Sequence, residues 1–275
     1  MLRKLIKHEF RALNRIFIPV NVALLALGLL GGILGVLLVG DLANAGPATS
    51  LLIVMMWFLF IMAMLAGGFI PVIVTILRFW KNLLGSEGYL MFTLPVTRRD
   101  LVFSKLIPST VWFMITFLSI LVASLIVVGG VLLGGTTYFQ FVELRWFLED
   151  MGREFSSLMY WADIELGNTV LLVIMSILST IFSIASAILM LYVSMAIAQL
   201  SNQARVIIAI AVWVGLNFAS TLASAFGTIF GSFIFPALAT NLLASTTINT
   251  LWSLALCVVF FIITEQILSK RLNLQ

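Results

Sequence analysis

Long apolar runs are the feature that most limits what this chain can fold into. Runs of more than about 18 apolar residues recur along the 275-residue sequence, and each is long enough to cross a bilayer as an α-helix. Charged residues make up 9% of the chain, against roughly 25% in soluble domains. The runs lack the alternation of apolar and polar residues that strands of a membrane barrel show. The sequence therefore predicts an all-α, polytopic membrane protein with a single transmembrane domain over residues 1–275.

Six membrane-spanning helices account for these runs. They are expected at roughly 17–40, 51–77, 106–134, 169–199, 206–235 and 250–268. Pro236 and a series of polar neutral residues separate the last two spans, so we expect an extracellular or re-entrant segment at 235–249. The single cysteine, Cys257, lies within an apolar run and excludes a disulfide within the chain.

The basic residues lie almost entirely on one side of the predicted membrane. All of them except Arg145 and Arg153 fall in the N-terminal segment, in the loops after spans two and four, or after span six. Because lysine and arginine accumulate in cytoplasmic loops, we expect a multi-pass plasma-membrane protein with both termini in the cytoplasm. No small-residue cleavage site follows the first span, so we expect that span to be retained.

Two segments outside the spans are amphipathic. At residues 1–16, one helical stripe is apolar and basic residues lie off it, which predicts a cytoplasmic helix along the inner leaflet. A merely basic topogenic start is the alternative. The extracellular loop at 135–168 contains a second amphipathic helix at 141–158. This outer helix could cap the spans, lie in the outer interface or pair with a second copy, and the sequence does not choose among these.

The sequence offers little enzyme chemistry. His8 is the only histidine, so the chain cannot build a histidine-based metal cluster or a Ser-His-Asp triad. The phosphate-loop pattern G-x-x-x-x-G-K-[ST] is absent, and no ionisable residue lies near the middle of a span. We expect no enzymatic activity, metal, cofactor or nucleic-acid partner.

Spans four and five carry neutral polar groups instead of charges. Among them, four residues are candidates for lining a translocation pathway: Ser179, Ser183, Asn217 and Thr221. Their spacing places much of each set on one helix face. Close helix packing by small residues is the alternative interpretation.

Residues 78–105 form a cytoplasmic region between the second and third spans. The residues from Glu87 onwards predict a short helix that Pro95 ends, and Thr97 starts the next helix with Asp100 three residues later. The tip of the short helix, Tyr89-Leu90-Met91, is too apolar for a loose surface loop. We therefore expect it to enter a pocket of a partner protein, with nearby charges setting the docking register.

This region resembles the ABC exporter permeases of the type 2 (type V fold) family. The similarity is to a cytoplasmic pattern, E-G-[TY]-L-x-x-x-L-P-[VL]-[ST]-R-x-x-[LIV]-x-x-x-K, between the second and third of six spans. The residues that the resemblance assigns to coupling with the ATPase are Glu87, Gly88, Tyr89, Leu90, Leu94, Pro95, Arg98, Arg99 and Lys105. Two departures are Tyr89, where threonine is commoner, and an outer loop longer than usual.

The resemblance implies a function in ATP-driven transport. The short helix would be the coupling helix, inserted into a groove of a separate cytosolic ATPase, with two ATPase subunits in each complex. A second permease copy or a related permease would complete the pathway within membrane lipid. The expected activity is export of an amphipathic or lipid-like substrate, such as a drug or an antimicrobial peptide. The alternatives are a non-transporting scaffold or sensor and, less favoured, an intramembrane enzyme.

Overall fold

The described part of the chain forms six long α-helices. The computed structural model describes residues 2–39, 46–81, 97–135, 149–150, 152–154, 156–157, 166–201, 204–234 and 241–270. The helices are α1 (Leu2–Val39), α2 (Pro47–Phe79), α3 (Arg98–Gly135), α4 (Leu166–Ala198), α5 (Arg205–Ile234) and α6 (Leu242–Lys270). Each contains a stretch long and apolar enough to span a membrane. The predicted six-span, all-α membrane protein is confirmed.

The N-terminal segment and the first span form one helix rather than two elements. α1 runs without interruption from Leu2 to Val39 and includes Pro19. The predicted amphipathic pattern is present in it, since Leu13 and Phe17 are buried whereas Arg3 and Lys7 are exposed. No glycine separates the basic segment from the apolar run, so the helix continues through the predicted boundary.

The last helix also begins earlier than predicted, at Leu242 instead of residue 250. Its first turn is capped by Asn241, whose Oδ1 accepts hydrogen bonds from the backbone N–H groups of Leu243 (3.0 Å) and Ala244 (3.2 Å). The later part of the predicted segment 235–249 is therefore helical. Residues 235–240, and residues 141–148 of the predicted outer helix, lie outside the described residues.

The chain divides into two compact units, each with its own core. Unit 1 comprises Met1–Phe10, Val74–Thr110 and Met159–Gln275, and unit 2 comprises Arg11–Ile73 and Val111–Leu158. In unit 1, α4 packs against both α5 and α6. Its C-terminal half is the most buried part of the chain described, with Ile188, Leu189 and Tyr192 almost fully enclosed.

In unit 2, α1 and α3 approach most closely at glycines, where a larger residue does not fit. A Cβ added at Gly28 would lie 2.7 Å from the Cβ of Ala123, and one at Gly130 would collide with the carbonyl oxygen of Gly32. The Asn21 amide donates a hydrogen bond to the Thr116 hydroxyl across the same pair of helices (3.3 Å). Because lipid tails are as apolar as leucine, such close packing and polar contacts are what hold helices together in a membrane.

The adjacent glycines Gly129 and Gly130 test this packing directly. Gly130→Ala must push two backbones apart, and overpacking of this kind typically costs about 1–3 kcal/mol. Gly129→Ala introduces a methyl group into open space, and an alanine inside a helix is otherwise favourable by about 0.5–1 kcal/mol. We expect thermal unfolding in detergent to show a lower melting temperature for Gly130→Ala only. Equal melting temperatures for the two variants would contradict the described α1–α3 contact.

Candidate functional site

A buried carboxylate joins three helices of unit 1. The Oε2 atom of Glu9 on α1 accepts a hydrogen bond from Nη1 of Arg78 on α2 at 2.9 Å. Its Oε1 atom accepts one from Nζ of Lys105 on α3 at 2.7 Å. Glu9 is 9% exposed and Lys105 is 4% exposed. We call Glu9, Arg78 and Lys105 the Glu9 cluster.

The burial of the Glu9 cluster makes its three members depend on one another. Removing a charged group from water costs several kcal/mol, and the cost is offset only where the geometry of the ion pair is good. Here each carboxylate oxygen carries one cation at a distance typical of charge-assisted hydrogen bonds. Loss of the carboxylate would leave two cations close together, one of them almost fully buried.

Aromatic packing attaches a fourth helix to the same place. Phe79, the neighbour of Arg78 on α2, stacks on Tyr192 of α4 with ring centroids 4.0 Å apart and an interplanar angle of 13°. The Tyr192 hydroxyl hydrogen-bonds with Ser109, which lies one turn beyond Lys105 on α3. The ends of α2 and α3 next to the 82–96 segment are therefore tied to α1 and to α4.

A second set of contacts joins the start of α3 to the end of α6. Thr97 caps α3, as predicted, because its Oγ1 accepts a hydrogen bond from the Asp100 N–H at 3.3 Å. Arg99 Nε donates to Glu265 Oε1 at 2.5 Å, and Arg98 Nη1 donates to the Ser269 carbonyl oxygen. Arg99 is exposed, so this pair adds little stability. The Arg99–Glu265 pair instead orients the first turn of α3 relative to α6.

The predicted coupling residues fall into three groups. Six of them, Glu87, Gly88, Tyr89, Leu90, Leu94 and Pro95, lie outside the described residues. Arg98 and Arg99 are exposed and bind α6. Lys105 is buried against Glu9, so its ammonium group serves contacts within the chain rather than an exposed surface.

Sequence reasoning missed Glu9, the centre of the cluster. A signal was present, since Leu5, Glu9, Leu13 and Phe17 follow one another at intervals of four, which places Glu9 on the apolar stripe of the helix. A carboxylate on a buried stripe requires a cationic partner. The sequence alone could not show that the partners are Arg78 and Lys105.

The four predicted pathway residues differ in burial and in hydrogen bonding. Ser179 is buried and its Oγ accepts a hydrogen bond from Asn249 Nδ2 of α6 at 3.2 Å, as expected for helix packing. Asn217 donates to the carbonyl oxygen of Trp213, one turn earlier on its own helix. Ser183 and Thr221 are exposed. In the part of the chain that the structure describes, no group of three or more His, Cys, Asp or Glu residues could hold a metal ion.

Comparison of the chain with protein-family models, with curated proteins and with solved structures gives no match. The functional argument therefore depends on the sequence pattern and on the contacts described above.

The two carboxylates of this region provide a matched test of the Glu9 cluster. Glu9→Gln removes the charge that both Arg78 and Lys105 need, and breaking a buried ion pair costs about 3 kcal/mol or more. Glu265→Gln removes an exposed pair with Arg99, for which about 1 kcal/mol or less is expected. Thermal unfolding in detergent should show a marked drop in melting temperature for Glu9→Gln and almost none for Glu265→Gln.

A double variant controls for unspecific damage at position 9. In Glu9→Met with Lys105→Met, the buried charges are replaced by apolar groups of similar length, so stability should recover relative to Glu9→Gln. If Glu9→Gln unfolds at the same temperature as the unmodified chain, the Glu9 cluster does not stabilise this region.

Proposed function

We propose that this chain is the membrane permease subunit of an ATP-driven ABC exporter in the plasma membrane. One observation carries the proposal: both flanks of the 82–96 segment are fixed to other helices of unit 1. Arg78, before the segment, and Lys105, after it, share the Glu9 carboxylate. Arg99 holds the start of α3 to α6. An element that receives force from a partner protein needs such anchoring, because a loosely attached loop would move without moving the helices.

The sequence pattern supports the choice of partner. Residues 87–98 match the coupling pattern of type 2 exporters, and the chain has no phosphate-loop motif of its own. ATP hydrolysis would take place in two cytosolic ATPase subunits. A second copy of the chain or a related permease would complete the pathway, and its cargo would be amphipathic or lipid-like, such as a drug or an antimicrobial peptide.

The proposed mechanism is a change of conformation driven from the cytoplasm. When the ATPase subunits bind and release ATP, they would shift residues 87–94 at the membrane surface. Through the Glu9 cluster, the shift would move the adjoining ends of α1, α2 and α3 together, whereas the exposed Arg99–Glu265 pair would let α6 change its position against α3. ATP binding would thereby change the relative populations of two helix arrangements, as differential binding requires.

A membrane scaffold or sensor is the second candidate function. It could use the same anchored segment as an ordinary docking loop, without ATP hydrolysis. An ATPase of roughly 25–35 kDa that co-purifies with the chain would favour the transporter, at a size typical of one or two domains. Co-purification of a protein without nucleotide-binding motifs would favour the scaffold.

Single cysteines test the proposed orientation. In a Cys257→Ala background, a cysteine at position 86 should react with a membrane-impermeant maleimide only after the cells are opened. A cysteine at position 156 should react in intact cells, because the basic residues place the 135–168 loop outside. External labelling at position 86 would reverse the orientation and remove the docking argument.

Alanine substitutions test the coupling segment. Truncating a buried interface anchor typically costs about 2 kcal/mol or more, which corresponds to about thirtyfold in affinity. We therefore expect Tyr89→Ala and Leu90→Ala to reduce both ATPase co-purification and vanadate-sensitive ATP hydrolysis by at least this factor. Arg99→Ala should act more mildly and depend on salt, because an exposed charge acts mainly on docking rate and register.

Leu77→Ala serves as the control for these substitutions. Leu77 is 61% exposed on α2 and lies outside the 82–96 segment, so its truncation should leave ATPase co-purification unchanged. Full partner binding and ATP hydrolysis in Tyr89→Ala and Leu90→Ala would show that this segment is not the coupling element.

A further inference from the structure

A cavity of about 550 Å³ lies between α5 and α6 in unit 1. Its walls come from the last third of α5 and the first turns of α6. On α5 they include Ser224, Gly227 and Thr228, and on α6 they include Ser245, Asn249 and Trp252. None of the lining residues is charged. The cavity shares no residue with the Glu9 cluster.

Glycines on α5, which have no side chain, leave much of this space open. A Cβ added at Gly227 or at Gly231 would meet no atom within 4 Å. These two glycines continue a series of small residues at intervals of four, which winds slowly around the helix. The series is Ala211, Gly215, Ala219, Ala223, Gly227 and Gly231. Only its last three members, together with residues of α6, line the cavity, which is a partly open cleft between the two helices.

The polar groups of the cavity offer hydrogen-bond acceptors. The hydroxyl groups of Ser224, Thr228 and Ser245 each donate their proton to a backbone carbonyl of their own helix. Their oxygen lone pairs remain available to a ligand. Asn249 donates from Nδ2 to Ser179, which leaves its Oδ1 as a further acceptor.

The Trp252 indole gives the cavity an aromatic surface. It is half-buried, so part of the ring can contact a ligand. The face of the ring suits an apolar or aromatic body.

This chemistry selects a class of ligand. A molecule with hydroxyl or amide N–H donors finds several acceptors here, whereas a carboxylate or sulfonate would be desolvated among lone pairs without a cation. The volume lies within the range of drug-sized sites, roughly 300–1,000 Å³. It suits a small molecule or a single alkyl chain and not a whole antimicrobial peptide.

We infer that the α5–α6 cavity binds an uncharged, small amphipathic molecule that carries hydroxyl or amide donors on an apolar body. Calling this molecule the cargo of the exporter rests on the proposed function. Its binding does not, because no ATPase is needed to occupy the cavity.

The experiment uses the full chain in nanodiscs and a dodecanol that carries a diazirine in its alkyl chain. Irradiation should label peptides from 223–231 and 245–252, and excess unmodified dodecanol should compete. A sulfonate with the same chain and diazirine should label them at least about tenfold less, a difference of about 1.4 kcal/mol. Gly227→Leu, which fills the cavity, should reduce labelling by the alcohol to a similar extent.

Gly215→Leu is the matched control for Gly227→Leu. Gly215 belongs to the same series on α5 and also has open space at its Cβ position, but it lies about two turns before Ala223, the first residue of α5 that lines the cavity. This variant should keep full labelling at 223–231 and 245–252. The same comparison shows whether a leucine in this series merely disturbs folding, because both variants carry it.

A fluorescence measurement provides a second readout on the unmodified cavity. Brominated dodecanol should quench the emission of Trp252, obtained as the difference between the chain and Trp252→Phe. Three results would each show that the probe only partitions into the bilayer, and would overturn the inference. They are equal labelling by the alcohol and the sulfonate, labelling that excess dodecanol does not displace, and full labelling of Gly227→Leu. These results would not affect the test of the proposed function, which is co-purification of an ATPase. In turn, failure to co-purify an ATPase would not affect the result of the ligand-binding experiment.

Discussion

The organisation of unit 1 depends on one carboxylate that two cations share. Glu9 is the only acidic residue on the N-terminal helical stripe, and its two oxygens bind Arg78 and Lys105 from two other helices. Their sequence separations from Glu9, 69 and 96 residues, mean that folding must bring distant segments together before any of these charges can leave water. The cluster therefore stabilises only the arrangement in which α1, α2 and α3 meet. In a membrane protein such polar contacts help to specify which helices pack together, because an apolar side chain finds an equally apolar environment in lipid.

The two attachments near residues 82–96 differ in burial, and the proposed function would use this difference. The Glu9 cluster is buried, so breaking it is costly and its helices should move as one body. The Arg99–Glu265 pair is exposed and can break and re-form at little cost. A coupling region with one permanent and one releasable attachment could keep α1, α2 and α3 together while α6 changes its position against α3. Such a division would suit a transporter better than a static scaffold, which gains nothing from a releasable contact.

The helices could be predicted from the sequence because each is an apolar run longer than the bilayer requires. The capping of α3 by Thr97 could be predicted as well, since a cap needs only local residues. The boundaries at Leu2 and Leu242 differ from prediction, because hydropathy marks the part of a helix that enters lipid and not the part that continues beyond it. The Glu9 cluster could not be predicted in full. The position of Glu9 on a buried stripe was visible, but five basic residues near it and several more in the next loop were all possible partners.

The serine and threonine residues show why composition alone does not locate a pathway. Ser179 is a candidate pathway residue by its sequence position, but in the structure it accepts a hydrogen bond from Asn249 and takes part in the packing of α4 on α6. The same asparagine lines the α5–α6 cavity. Asn249 thus links a packing contact to a site with room for a ligand. A ligand that hydrogen-bonds to its Oδ1 would therefore act on a side chain that also takes part in the packing of α4 on α6.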